Sequence, residues 1–332
     1  MILKSQYANG IQEHDTISAP FLIKYAAVQT GKTGKAYMNL VLMDRTGEVE
    51  ARVWERVEDF ASVAVKDAYI LVEGRCQLFQ GRKQVVIKSL SLVREDQINP
   101  TEFMKQSEIN VTFLLSELDR WVESMEDPDY RELAQRTFAE SDVRDRLRVA
   151  PAAKAIHHAY RGGLLEHMVS ILGLMDHVAQ HYAPHLNRDL LFIGVLFHDL
   201  CKLWELSYER TFDYTDEGRL VGHLVMGVEL IDRMVREIRL ERDFSQEKLL
   251  LAKHVVLAHH GKLEFGSPKE PQCLEALIVH MLDDLDSKVN SILKFAEEDQ
   301  TPGRWTALHR QFNRYFWKPD SVMQTSSEHS QL

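Results

Sequence analysis

One half of this sequence gathers histidines and aspartates in a pattern suited to metal-assisted hydrolysis. His167 lies in Gly-Gly-Leu-Leu-Glu-His, and His198-Asp199 directly follows the apolar run Leu190–Phe197. His223 follows Gly222, His259-His260-Gly261 closes another apolar stretch, and Asp283, Asp284 and Asp286 sit in His-Met-Leu-Asp-Asp-Leu-Asp-Ser-Lys. A carboxylate carried into an apolar core by Leu190–Phe197 costs several kcal/mol unless it is paired or bound to a cation. Metal ligation resolves this for Asp199, and neutral imidazoles complete the shell. Such a mixed set suits Mn, Fe, Co, Ni or Zn better than Mg or Ca.

Taken singly, each residue has a plainer reading. A lone histidine on an apolar helix is usually a satisfied core residue, and an Asp-Asp pair is usually surface charge or a cap. His177, His181, His185 and His309 have no distinctive setting and read as surface. The ordered combination carries the metal reading: a His, a His-Asp pair 31 residues on, a His, a His-His pair, then a helical Asp.

Helices must present these groups, because ligands from several helices converge naturally in a bundle core. After Asn99-Pro100 apolar residues recur every three to four positions, predicting helices over Phe113–Met125, Tyr130–Phe138, Leu164–His181, Leu190–Trp204, Leu220–Leu240, Glu247–His259, Pro271–Asp299 and Arg304–Trp317. Lys318–Leu332 is polar and Ser-rich and reads as a disordered tail.

Residues 15–95 have the other periodicity. Ala36–Met43 and Glu48–Trp54 alternate around the turn Asp44-Arg45-Thr46-Gly47, and Tyr69–Phe79 and Gln84–Val93 flank Gln80-Gly81-Arg82-Lys83. Val57–Val65 reads as a short helix between the pairs. Strands, a small helix after the third, then two more strands is the order of an OB barrel. The expected class is therefore a multidomain α+β chain: an all-β OB barrel over 1–98, an all-α helical domain over 99–317, and the tail. On the barrel Met38, Leu40 and Leu42 should fill the core, while Tyr37, Asn39, Arg52 and Trp54 face outward. Lys32, Lys35, Arg82 and Lys83 edge the groove. Aromatics beside basic residues suit a single strand, whose bases stack and whose phosphates need cations. The plain alternative is packing against another domain or subunit.

The first hundred residues hold 13 Lys+Arg against 12 Asp+Glu, and the remainder 27 against 38. The net charge of −10 argues against a protein that coats duplex DNA, and the less acidic end is the place for phosphate contacts. Three scattered cysteines form no CxxC and exclude a disulfide framework or thiolate zinc site. No apolar run is long enough for a bilayer, and the N-terminus lacks a signal-peptide core, so no membrane association and a cytoplasmic location are expected.

The His/Asp order resembles the HD superfamily of metal-dependent phosphohydrolases. That resemblance implies that His167, His198, Asp199 and Asp283 ligate the principal metal. His223 with one or both of His259 and His260 would serve a second ion, and Asp199 would bridge the two. Asp283 is preferred to Asp284 by alignment with the family's Asp-x-Leu-Asp, which leaves Asp286 behind the ligands. Lys202 matches the Lys of the HDxGK string that contacts the scissile phosphate, although Cys201 replaces the usual Gly and puts the turn in question. Arg161 and Glu166 flank the first ligand and are candidates to orient substrate or ligand.

Across residues 10–318 the chain resembles the YhaM-type 3′→5′ exoribonuclease family. The carrying strings are HHAYRGGLLEHMVS, LFHDLCKLWELSYERTFDYTDEGRLVGH, LAHHGKLEFGSPKEP and EALIVHMLDDLDSK. The resemblance implies trimming of single-stranded RNA, and in some members single-stranded DNA, from the 3′ end, with one or two divalent ions. Mn²⁺ is the expected ion, with Co²⁺, Fe²⁺, Ni²⁺ and Zn²⁺ as alternatives. The polarity comes from the resemblance alone, and a homo-oligomer stays open. Two other readings remain: an HD enzyme acting on a small nucleotide or cyclic dinucleotide, and a non-catalytic single-strand binder.

Overall fold

A computed structural model describes residues 1–31, 34–154, 158–299 and 301–320. Lys32 and residues 321–332 of the expected tail lie outside them. The chain divides into two compact units, Met1–Glu108 with Ser207–Asp213, and Ile109–Leu206 with Tyr214–Leu332.

In the first unit, β1 (Thr16–Thr30), β2 (Ala36–Asp44), β3 (Gly47–Val53), β4 (Tyr69–Phe79) and β5 (Arg82–Leu92) close into a barrel of order β1-β2-β3-β5-β4, with α1 (Val57–Ala61) after the third strand. All neighbours are antiparallel except β3 and β5. The alternation places Met38, Leu40, Leu42, Val49, Ala51 and Val53 in the core. The 15-residue β1 closes the barrel by pairing with β4 through its first half and β2 through its second. A bulge between Glu73 and Gly74 bends β4 against β5, where a Cβ on Gly74 would stand 2.4 Å from the Val86 carbonyl oxygen.

Ser207–Asp213 joins this unit although it is remote in sequence. Arg210 donates to the Asp67 carbonyl and to Glu95 Oε2, each at 2.8 Å, and Thr211 donates to Asp67 Oδ1. These are polar contacts of single side chains, which leave no periodic trace in sequence.

The second unit is helical: α2 (Val111–Glu123), α3 (Pro128–Ala139), α4 (Ser141–Leu147), α5 (Gly163–His181), α6 (Arg188–Phe197), α7 (Lys202–Glu205), α8 (Asp216–Leu220), α9 (His223–Ile238), α10 (Gln246–Ala258) and α11 (Leu274–Glu298). Side chains of Asn110, Asp127, Asn187 and Ser245 cap α2, α3, α6 and α10 through their first-turn amides. Residues Leu190–Phe197 of α6 are buried throughout, so this helix is enclosed rather than amphipathic.

Two helical expectations fail. The helix expected over Leu190–Trp204 stops at Phe197, and His198–Cys201 form a turn before α7. Arg304–Trp317 is not helical but an irregular ribbon with bridges Trp305–Trp317 and His309–Arg314. Its apolar residues recur at helical spacing because they form an aromatic cluster around His309, which is half-buried rather than on the surface. Lys318, counted with the tail, is buried against Asp299 at 2.8 Å.

Gly74→Ala should destabilise the barrel by about 1–3 kcal/mol, the usual cost of overpacking. Denaturant unfolding checks this, and an unchanged midpoint would contradict the close approach at the bulge.

Candidate metal centre

Four helices and their adjoining turns gather six of the seven proposed ligands, Asp199 among them, and a fifth helix adds Asp283. The buried side of α5 is apolar except for His167, which occupies a position flanked by Leu164, Met168 and Ile171. α6 delivers His198 and Asp199 past its last turn into the core, at 0% and 2% exposure. His223 opens α9 behind Gly222, whose φ of +81° a side chain would strain. His259 and His260 follow α10, and Gly261 at φ +79° lies so close to His280 that a Cβ would meet its ring at 2.3 Å. Asp283 comes from the middle of α11.

The ring nitrogens define what this cluster can do. His198 Nδ1 donates to the Val195 carbonyl and His259 Nδ1 to the Val256 carbonyl, each at 2.8 Å. His223 Nδ1 donates to Glu205 Oε1, also at 2.8 Å. With Nδ1 committed, each neutral ring turns an Nε2 lone pair inward. Asp199 Oδ1 lies 3.4 Å from His223 Nε2 and 3.7 Å from His259 Nε2, while its Oδ2 is 3.6 Å from His198 Nε2. Buried His198 Nε2, His223 Nε2, His260 Nδ1 and Asp199 Oδ1 have no hydrogen-bond partner. Buried polar atoms are ordinarily bonded, and these converge without a partner among the described residues, a set that suits a cation. His167, His198 and Asp199 form one group able to hold an ion, and His223, His259 and His260 a second.

Electrostatics agree with this donor set. Burial lowers His198, His259 and His260 and keeps them neutral. Burial opposes ionisation of Asp199, yet the Lys202 ammonium holds its carboxyl well below the usual range. His167 differs. Burial would lower it, but hydrogen bonds to Asp283 at 3.2 Å and Asp286 at 2.8 Å push it up to about 9. In the absence of a cation it therefore holds the proton that metal binding would release.

The remaining candidates fall in different places. Lys202 Nζ donates to Asp199 Oδ2 at 2.5 Å and its side chain is 14% exposed, so it is part of the cluster rather than a solvated lysine. Cys201 takes φ −73° without strain, which resolves the turn in which glycine is usual. Asp284 pairs with Lys288 at 2.6 Å, away from the histidines. Glu166 accepts from the Tyr160 hydroxyl at 2.8 Å, and Arg161 is half-buried just ahead of α5.

Sequence reasoning placed Asp286 behind the candidate ligands but missed the other groups there. Asp286 receives Ser170 Oγ at 2.6 Å and stands 3.2 Å from the buried His158 Nε2, whose Nδ1 is 2.8 Å from the Tyr160 hydroxyl. Glu205 accepts from both His223 Nδ1 and His223 N. His280 Nδ1 donates to the His259 carbonyl at 2.8 Å. The one available signal was a histidine or glutamate inside the strings that carry the ligands, and it does not tell a supporting residue from a surface one.

On the barrel, Tyr37 and Trp54 stack across β2 and β3 with ring centroids 5.0 Å apart, and Trp54 is 51% exposed. Asn39 pairs with Arg52 in the same register and accepts from its guanidinium. Arg52 and Arg82 both reach Glu50, at 3.5 and 3.7 Å, and Lys83 lies at the start of β5. Exposed Tyr25, opposite Val41 on this outer face, and exposed Phe79 were missed, because the span of β1 and the end of β4 carry no clean alternation.

Glu205→Ala should weaken Mn²⁺ binding about 10–100-fold by freeing the His223 ring, with the helical fold retained. Calorimetric titration checks it, and an unchanged affinity would contradict the supporting role.

Comparison with known proteins follows the same division. Residues 164–288 match the family model for the HD domain, and residues 24–93 match that for an OB-fold nucleic acid binding domain. The chain is 36% identical to the 3′-5′ exoribonuclease YhaM of Oceanobacillus iheyensis, over 90% of this chain and 92% of that one. It is 33% identical to YhaM of Geobacillus sp., over 94% and 95%, and 32% identical to YhaM of Bacillus subtilis, over 94% and 98%. An OB barrel joined to an HD-type helical unit, matched over nearly the full length of these relatives, places this chain in the YhaM 3′-5′ exoribonuclease family.

Proposed function

We propose that this protein is a divalent-metal-dependent 3′-5′ exoribonuclease acting on single-stranded RNA, with single-stranded DNA as a further substrate. The observation that carries the reading is the set of buried, unbonded nitrogen and oxygen atoms converging on Asp199, in a chain related to YhaM enzymes over nine-tenths of its length. His167, His198, Asp199 and Asp283 would hold one ion, and Asp199 with His223, His259 and His260 a second. Manganese suits this donor set, as do cobalt, iron, nickel and zinc. The bound ion would acidify water and draw charge from the phosphoryl oxygens.

The chain's own groups supply the rest. Asp286 and Glu205 orient the imidazoles of His167 and His223, and Asp286 is itself held by Ser170. Lys202 keeps a positive charge beside Asp199, because the carboxylate raises its pKa more than burial lowers it. That ammonium offsets negative charge on the phosphate. Glu166 acts through Tyr160 and His158 rather than on substrate. Tyr37 and Trp54 would receive bases on the barrel, with Asn39, Arg52, Arg82 and Lys83 lining the strand's path.

The testing experiment incubates end-labelled single-stranded RNA, single-stranded DNA and a cyclic dinucleotide with the purified protein, with Mn²⁺ or chelator. Stepwise shortening of RNA from its 3′ end, lost with chelator and in Asp199→Ala, is expected. Hydrolysis of the cyclic dinucleotide alone would select the small-nucleotide reading, and binding without cleavage the non-catalytic one. Lys202→Ala should lower kcat about 100-fold with metal content unchanged, measured by turnover and elemental analysis. Trp54→Ala should weaken single-strand binding about five- to a hundred-fold in the absence of divalent metal, since stacking contributes roughly 1–3 kcal/mol per base. Equal affinity in an anisotropy titration would remove the barrel from the binding surface.

A further inference from the structure

The segment after α11 is unlike the rest of the helical unit. Residues 301–320 hold four Lys+Arg against one Asp, and five aromatic residues, within a region that is otherwise strongly acidic. The segment is a built ribbon. Lys318 N donates to the Arg304 carbonyl at 2.8 Å and Thr306 N to the Phe316 carbonyl at 2.9 Å. Lys318 Nζ anchors its base on Asp299 and on the Thr301 carbonyl.

Those two backbone bonds flank Trp305 and Trp317, which makes them a directly opposed, non-hydrogen-bonded pair with side chains on one face. Their rings meet edge to face at 5.3 Å. Tyr315, two residues before Trp317, shares that face by alternation. The opposite face carries buried Thr306 and half-buried Phe316, and Phe312 and Phe316 surround His309, which packs on Phe295 of α11. The inner face thus fixes the ribbon to the helix while the outer one holds Trp305, Tyr315 and Trp317 at 55%, 59% and 54% exposure. Arg304 lies 5.3 Å from the Trp317 ring and pairs with Asp320, Arg314 Nε donates to the Phe312 carbonyl at 3.1 Å, and neither Arg310 nor Arg314 forms an ion pair among the described residues.

We propose that this ribbon is a second single-strand platform, on the catalytic unit itself: bases stack on Trp305, Trp317 and Tyr315, and Arg310 and Arg314 take phosphates. The inference rests on the single-strand reading above. Charge selects the occupant, since exposed aromatic faces on a ribbon with four basic residues against one acidic match a polyanion with exposed bases. Phe295 lies nine residues along α11 from Asp286, about 13 Å at helical rise. The ribbon would grip the strand whose end is being cut.

The test uses the full chain, a fluorescent single-stranded RNA with chelator for binding, and a dinucleotide with Mn²⁺ for turnover. W305A/W317A should weaken binding of the long strand about tenfold or more. R310A/R314A should flatten the dependence of log affinity on log salt by about 1.4, the value for two phosphate contacts on a single strand. Dinucleotide turnover and the molar mass from light scattering should be unchanged in both. Unaltered affinity and slope in both variants would overturn the proposal. So would an affinity loss that appears only with a fall in molar mass, which would make the face a contact between copies. A parent chain that binds the long strand but never cleaves the dinucleotide would count against the hydrolytic reading, while the two binding comparisons would still decide the ribbon.

Discussion

An ionised carboxylate enclosed in a helical core is costly unless opposite charge lies within contact distance. Asp199 is in that position, and the second unit is organised around it. The enclosed helix α6 carries it inward, Lys202 and the imidazole after α6 lie beside one oxygen, and imidazoles from α9 and α10 lie beside the other. One lysine balances one charge, but Asp283 and Asp286 bring further negative charge, which His167 answers only by taking up a proton. A divalent cation would neutralise the whole set and satisfy the unbonded atoms together. The same requirement explains the supporting bonds, since a ring held at Nδ1 cannot turn its Nε2 away.

The two units achieve precision differently. In the helical unit it comes from chain reversals: Gly222 and Gly261 admit backbone conformations that place His223 and His259-His260, and Cys201 completes a turn that needs no glycine. In the barrel it comes from register. Met38 opposite Val53 and Asn39 opposite Arg52 leave Tyr37 and Trp54 adjacent on the outer face. A slip of one residue would send that pair into the core.

Much of this was legible from residue order. Barrel strands declare themselves by alternation, and the candidate ligands by being polar at apolar positions. Less was legible where a residue's role depends on a partner distant in sequence. Glu205 matters because Gly222 turns the chain so that His223 meets it, and His158 because α11 brings Asp286 beside it. Arg304–Trp317 misled for a related reason: aromatic residues clustering around His309 have the spacing of a helix without its hydrogen bonds. Ser207–Asp213 joins the barrel unit through Arg210 and Thr211, contacts with no periodicity to detect.

A cation that completes the electrostatic balance would sit at Asp199. Anomalous diffraction from crystals grown with Mn²⁺, recorded on both sides of the manganese edge, locates that ion directly. A peak bonded to Asp199, Asp283 and the Nε2 atoms of His167 and His198 is expected, with any second peak sharing Asp199 with His223, His259 and His260. Manganese bound elsewhere, with Asp199 still paired only to Lys202, would contradict it.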